Sequence, residues 1–319
     1  MRITFWGIRG SIPSPMTADE FRIKVKRLLI NARNVNLNDE STVDAYLDTM
    51  PFPDAMTFGG NTPCVEICKG KHQIILDCGS GIRLLGRQMM KTGLTSGQRI
   101  DILQSHTHWD HMIGFPFFAP AFSKGTEIHI HGVHPNLEER FKQQMDRVHF
   151  PITLDEMGAQ ITFHQLKKEK DFTLGPFTIN TKGLHHPGGS YSYRITSGDK
   201  TVVYATDGEY KEPTDEVYAP FIEFYKDADV LIFDAMYATL EKTVERENFG
   251  HSTAIIGVGL ALSACVKKLV LFHHDPEIND SQIAQAFFDA KRYLETRGKA
   301  ISDCPLKLIT SYDGLTIDA

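Results

Sequence analysis

Residues 105 to 111 read Ser105-His106-Thr107-His108-Trp109-Asp110-His111, directly after the apolar run Ile100 to Leu103. Imidazole nitrogen and carboxylate oxygen are the ligand atoms that suit zinc and its first-row neighbours. Their spacing adds information. His106 and His108 are two apart, so in an extended segment both point to one side. Asp110 and His111 follow as the chain turns and face a second point. Four candidate ligands divided between two neighbouring positions predict a two-metal centre, completed by side chains from the ends of later strands.

The elements that must position these residues follow from periodicity. Residues 2 to 6 read as a strand, broken by Gly7 and Gly10. Thr17-Ala18-Asp19-Glu20 has the form of a capping box, and Phe21, Val25, Leu28 and Leu29 follow at helical spacing. Ser41 to Leu47 forms a second short helix before Pro51-Phe52-Pro53. Residues 16–56 are therefore expected to be a two-helix insertion, with a lid, a dimer arm of a homodimer, or surface packing as its roles. Val65 to Ile67 and Gln73 to Leu76 predict a hairpin, running into Asp77-Cys78-Gly79-Ser80-Gly81 and a helix from Ile82 to Met90. After the histidine motif, 112 to 122 is apolar and aromatic, a core and pocket wall. A strand over Glu127 to His131 and a helix from Pro135 to Asp146 come next.

The second half repeats the alternation. Strands are expected near 161–164, 172–180, 191–196, 201–206, 230–233 and 269–272, with helices over Ser252 to Cys265 and over 280–297, the latter ending at Gly298. No low-complexity linker or fixed-period repeat divides the chain, so 1–319 is read as one domain. Strand clusters alternating with helices predict an α/β architecture of two packed sheets with helices outside.

Bulk properties exclude other classes. The 319 residues, 41% hydrophobic, suffice for a sizeable core, and no apolar run reaches membrane-spanning length. A net charge of −6 argues against a sequence-independent grip on nucleic acid, which depends on neutralising phosphates. The start, Met1-Arg2-Ile3-Thr4-Phe5-Trp6, reads as a strand and not as a secretion signal. The five cysteines, Cys64, Cys68, Cys78, Cys265 and Cys304, are odd in number and scattered, and are expected to be reduced, buried thiols of a cytoplasmic protein.

H-x-H-x-D-H after a strand resembles the signature of the metallo-β-lactamase superfamily. The resemblance covers residues 1–15 and 57–319 and implies a four-layer αβ/βα sandwich. Phe5-Trp6-Gly7-Ile8-Arg9-Gly10-Ser11-Ile12-Pro13 and Gly59-Gly60-Asn61-Thr62 are similar to a bacterial branch near tRNase Z and the carbon–phosphorus-lyase pathway phosphodiesterase. It supplies the remaining ligands. His186, before the Tyr191-Ser192-Tyr193-Arg194 strand, matches a family histidine better than His185. Asp207 matches the metal-bridging aspartate, and His273, with His274 as the alternative, matches the last histidine. Asp77 matches an aspartate kept near the site but off the metals, where it orients a ligand histidine. Asp234 and His251 resemble the carboxylate–histidine pair of tRNase Z-like enzymes, although that carboxylate is a glutamate. His129, His131 and His134 match no family position and are not assigned, and neither are His149 and His164. His129 and His131 are read as lacking a carboxylate neighbour.

The resemblance implies that His106, His108 and His186 hold one metal and Asp110, His111 and His273 the other, with Asp207 between them. Zinc is the default; manganese and iron suit the same ligands. His108 stands where oxygen-reducing diiron relatives carry glutamate, and Asp207 stands where β-lactam-hydrolysing enzymes use cysteine, so neither chemistry is expected. A carboxylate-bridged pair suits in-line displacement at phosphorus. The expected function is hydrolysis of a small or nucleotide-like phosphodiester by a hydroxide shared between the metals, with Asp110, Asp234 and His251 in the catalytic apparatus. The alternatives are a hydrolase of thioesters or lactones, a nuclease, and a non-catalytic metal-dependent sensor. Only a strand and the turn Ser197-Gly198-Asp199-Lys200 lie between His186 and Asp207, where bacterial tRNA-processing relatives insert a long arm. Nucleic acid is therefore the less favoured substrate.

Overall fold

A computed structural model describes residues 1–93, 99–211, 215–301 and 303–319. In chain order the strands are β1 (Arg2–Gly7), β2 (Cys64–Lys69), β3 (His72–Leu76), β4 (Arg99–Gln104), β5 (Glu127–Gly132), β6 (Gln160–Gln165), β7 (Phe172–Leu174), β8 (Phe177–Leu184), β9 (Ser190–Ser197), β10 (Lys200–Ala205), β11 (Val230–Asp234), β12 (Lys268–Phe272), β13 (Lys307–Thr310) and β14 (Thr316–Asp318). The helices are α1 (Ala18–Asn31), α2 (Glu40–Thr49), α3 (Phe52–Ala55), α4 (Ile82–Thr92), α5 (Trp109–Met112), α6 (Leu137–Gln144), α7 (Asp215–Tyr225), α8 (Leu240–Glu245), α9 (Ala254–Ser263) and α10 (Asp280–Ile301).

Two seven-stranded sheets result, ordered β14-β1-β2-β3-β4-β5-β6 and β13-β12-β11-β10-β9-β8-β7. Within them β3 to β6 run parallel, as do β10 to β13. Alternation of side chains decides how the sheets stack. In β11, Val230 and Ile232 join the core between the sheets, while Leu231 and Phe233 pack outward with Val258 and Leu260 of α9. In β3, Ile74 and Leu76 face the second sheet, and Ile75 packs with Leu85 and Met89 of α4. Three apolar cores therefore separate four layers, helix–sheet–sheet–helix. The expected sandwich is correct.

Several local expectations need correction. The 172–180 strand is a hairpin of β7 and β8, turned at Gly175 with φ +53°. Gly298 does not end its helix, because α10 continues to Ile301 with Gly298 buried. Helix α7 lies between the strands expected near 201–206 and 230–233, where the sequence signals no element; residues 212–214 before it lie outside the described ones. Cys265 and Cys304 form a disulfide, so the reading of five free thiols fails for this pair; Cys64, Cys68 and Cys78 are free. The capping box at Thr17 and Glu20 is present. Segment 16–56 folds as α1 to α3, and Lys24 anchors it through a 2.7 Å ion pair to Asp280 of α10. Among the described residues, no helix is long and apolar enough to cross a membrane.

Candidate metal centre

Parallel strands deliver their following residues to one edge of a sheet, where sites of α/β proteins form. Here both sheets deliver to the same place. β4 leads into Ser105, His106 and His108, and one turn of α5 then presents Asp110 and His111. From the second sheet come His186 after β8, Asp207 after β10, Asp234 at the end of β11 and His273 after β12. Ser11, Asp77, Asp207 and His273 all have φ between 53° and 62°. That region is costly for residues with a Cβ and concentrates at functional sites.

The side chains form two groups that share Asp207. Its Oδ1 lies 3.2 Å from Nε2 of His111 and 3.2 Å from Nε2 of His273, and Asp110 Oδ2 lies 3.2 and 3.1 Å from the same two nitrogens. Its Oδ2 faces the other way, 3.6 Å from Nε2 of His106 and 3.7 Å from Nε2 of His186. Nε2 of His186 is 2.9 Å from Nδ1 of His108. All of these residues are buried except His108, which is exposed.

Backbone and buried polar groups hold this arrangement. Asp77, fully buried, accepts from the Ser105 amide (2.7 Å), the Ser105 hydroxyl (2.7 Å) and the Tyr204 hydroxyl (2.8 Å), and lies 2.7 Å from Nδ1 of His111. Nδ1 of His186 donates to Gly250 O (2.9 Å). Gly250 sits at φ +84°, and a Cβ there would fall 2.1 Å from that same nitrogen, so only glycine fits. Gln104 donates to the carbonyls of His106 (2.6 Å) and His111 (2.9 Å), and the Ser11 amide donates to Asp110 Oδ2 (2.8 Å). Ser11, Gln104, Tyr204 and Thr206, which donates to Asp207 Oδ1 at 2.5 Å, escape the sequence reading. Backbone donors and ordinary polar side chains carry no spacing signature.

The donor set fits cations. Nε2 of His106, the ring nitrogen turned toward Asp207, is buried without a hydrogen-bond partner, and Nε2 of His111 and of His273 confront each other at 3.3 Å. Burial pushes His106 well below the usual histidine range. Burial alone would raise the carboxyls of Asp110 and Asp207, but the surrounding histidines overrule it and hold both well below the carboxylate range. Imidazole nitrogens and carboxylate oxygens thus converge on one place, 3.1–3.7 Å from one another.

Asp234 and His251 meet as the resemblance implies. Nδ1 of His251 lies 2.8 Å from Asp234 Oδ2, while Asp234 also accepts from the Met236 amide (3.0 Å). The shorter carboxylate therefore still reaches. Burial would lower the His251 pKa, yet the Asp234 charge outweighs it and lifts it to about 9. Its ring stacks 5.1 Å from that of His273.

The neighbouring histidines separate cleanly. His185 is largely exposed, and His186 is the one in the cluster. His274 points away toward Phe58, 6.3 Å between rings, and burial pushes it down to about 3. His129, His131 and His164 stack on one another along the first sheet, away from the cluster, and His134 packs against Tyr191. His131 does have a carboxylate neighbour, contrary to expectation, lying 2.8 Å from Asp101 across β4 and β5.

A two-sheet sandwich with a buried His/Asp cluster at the strand ends defines a metal-dependent hydrolase, and the relatives agree. The chain belongs to the beta-lactamase superfamily, whose domain description matches residues 72–274. It is 26% identical to the ribonuclease Z of Picrophilus torridus over 267 residues, covering 70% of this chain and 82% of that protein. It is 30% identical to the probable metallo-hydrolase YhfI of Bacillus subtilis over 213 residues, covering 64% and 76%. The crystal structure of YhfI superposes with a TM-score of 0.63 at 18% identity over 100% of this chain and 98% of that one. A diphosphatase of the PhnP family gives 0.60 at 16% identity over 100% and 97%, a likeness of fold.

Proposed function

We propose that the protein is a dinuclear-metal phosphodiesterase acting on a small or nucleotide-like diester. One observation carries this: the two oxygens of Asp207 address two separate ligand groups. His106, His108 and His186 would hold one divalent cation, Asp110, His111 and His273 the other, and Asp207 both. Zinc suits this nitrogen-rich set, and manganese and iron share it. Bound there, a cation pair supplies an acidified water and neutralises charge on phosphoryl oxygens. Relatives named ribonuclease Z and a diphosphatase of the PhnP family support phosphorus over thioester or lactone substrates.

The protein's own groups do the rest. Asp77 keeps the His111 proton on Nδ1, and Gly250 O does the same for His186, so each Nε2 offers its lone pair inward. Asp234 fixes His251 through Nδ1 and favours its protonated form, leaving the other ring nitrogen to donate to the leaving oxygen. Segment 16–56 is read as an addition to the sandwich of a single domain, with a homodimer contact as one role open to it.

The test is a metal-reconstituted assay on bis(p-nitrophenyl) phosphate beside a thioester and a lactone, with bound metal counted by elemental analysis. Two metals per chain and diester turnover lost on chelation and in Asp110→Ala are expected. Turnover confined to the thioester or lactone, or one metal per chain, refutes the proposal. The ribonuclease Z relatives favour a nuclease as the second reading, which predicts oligonucleotide cleavage with steep salt dependence.

A further inference from the structure

Beside His251 lies a cavity of about 610 Å³, a size typical of small-molecule sites. Its wall includes Tyr218, Val244, Ile255, Ile256, Gly259 and Tyr293, so carbon dominates. The charged groups at its rim are engaged. Lys211 binds Asn248 Oδ1 and lies 3.5 Å from Glu247, and Glu209 accepts from the amides of Asn248 (3.1 Å) and Gly250 (3.3 Å).

Helix α9 forms one side. Ile255, Ile256 and Gly259 fall on one face, being three and four residues apart. The helix holds two glycines with different reasons to be there. A Cβ on Gly257 would sit 2.7 Å from Phe233 Cδ1, so close packing explains it. A Cβ on Gly259 would meet nothing within 4 Å. An interior helical glycine costs about 1 kcal/mol relative to alanine, and here no contact requires it. What its missing side chain preserves is the open space in front of it.

We propose that this cavity receives the leaving group of the diester, and that this group is planar and aromatic, an aryl or nucleobase unit. This rests on the phosphodiesterase reading above. His251 belongs both to the cavity wall and to the cluster, so a leaving oxygen bonded to it carries its substituent to the cavity mouth. Tyr218 and Tyr293 put aromatic side chains in the wall, suited to an aromatic guest, and the paired rim charges suit a neutral group. In the reaction, water oxygen bonds to phosphorus and the bond to the leaving oxygen breaks. His251 gives that oxygen its proton and regains one from the water consumed. The products are a phosphomonoester and an alcohol bearing the aromatic group.

The experiment measures inhibition of bis(p-nitrophenyl) phosphate hydrolysis by phenyl phosphate, thymidine 5′-phosphate and methyl phosphate, using metal-loaded wild type, Gly259→Ala and Gly259→Leu. In the wild type at least one aromatic ester inhibits 10-fold or more better than methyl phosphate, and which one separates aryl from nucleobase. The ratio falls partway in Gly259→Ala and to within 3-fold in Gly259→Leu. Should Gly259→Leu not fold, the Gly259→Ala change decides alone. A wild-type ratio near one, or a ratio that survives filling of the cavity in an enzyme that still turns over diester, overturns the proposal while the phosphodiesterase reading stands. Absence of any diester turnover by metal-loaded wild type overturns both, and is a different result.

Discussion

Asp77→Asn changes one atom and tests how the proposed site is set. Asp77 Oδ1 accepts the fixed amide of Ser105, and Oδ2 serves the hydroxyls of Ser105 and Tyr204 and Nδ1 of His111. Asparagine has one acceptor oxygen for these donors. If that oxygen keeps the Ser105 amide, its NH2 faces the other three. The two hydroxyls can rotate to accept. His111 must then move its proton to Nε2, the nitrogen that faces Asp110 and Asp207. If the amide flips, two buried donors confront each other instead. Losing a charged hydrogen bond costs about 1.5–3 kcal/mol, and losing the partner that orients a ligand histidine costs roughly 10–100-fold in metal affinity. Competition for Zn²⁺ against a chromophoric chelator reads this directly, with near-UV circular dichroism confirming that the variant is folded. Tyr204→Phe removes one donor but leaves the His111 contact, and is expected to change affinity less than about 3-fold. A folded Asp77→Asn protein with wild-type Zn²⁺ affinity would refute the reasoning.

Three further outcomes follow from other contacts. Gly10→Ala puts a Cβ 2.6 Å from Cε1 of His273; tilting that ring should lower diester turnover on the order of 10²-fold, and a loss under 3-fold in steady-state assays would contradict the packing. Burial pushes the Asp313 carboxyl up to about 6, so the native state holds a proton that the unfolded chain releases near pH 4. Stability contributed by that proton is therefore lost as pH rises from about 4 to 6, by on the order of 1–2 kcal/mol after allowing for partial exposure. Urea unfolding of Asp313→Asn against wild type across this range should show the difference; parallel curves would not fit. Chelation should lower the unfolding midpoint, since a cation at a thousand times its dissociation constant adds about 4 kcal/mol, and calorimetry with and without EDTA measures the shift.

The candidate site was legible because few residue types could ligate a metal and strand ends place them, with the family resemblance singling out His186, Asp207 and His273 among those strand-end residues. His106 to His111 announced themselves by spacing, and Asp207 and His273 stand where apolar runs stop. What stayed hidden depends on distance through space. Cys265 and Cys304 are 39 residues apart, and no spacing rule pairs them. Gly298 looked like a helix terminator, yet it lies inside α10, where a Cβ would come within 3.1 Å of Leu294. The three- and four-residue strands β14 and β13 are too short to show a period, and only their partners β1 and β12 define them. The His131–Asp101 contact likewise needs two neighbouring strands in register.

Neither sheet owns the cluster. The first contributes His106, His108, Asp110 and His111; the second contributes His186, Asp207 and His273, and Tyr193 crosses between them to bond Gln104 O at 2.6 Å. A cation held by both would rivet two independently wound layers together. Occupancy would then report how well the halves mate, so a substitution among Ile3, Ile67 and Ile195 in the core between the sheets should surface as leaky metal retention before it appears as loss of fold.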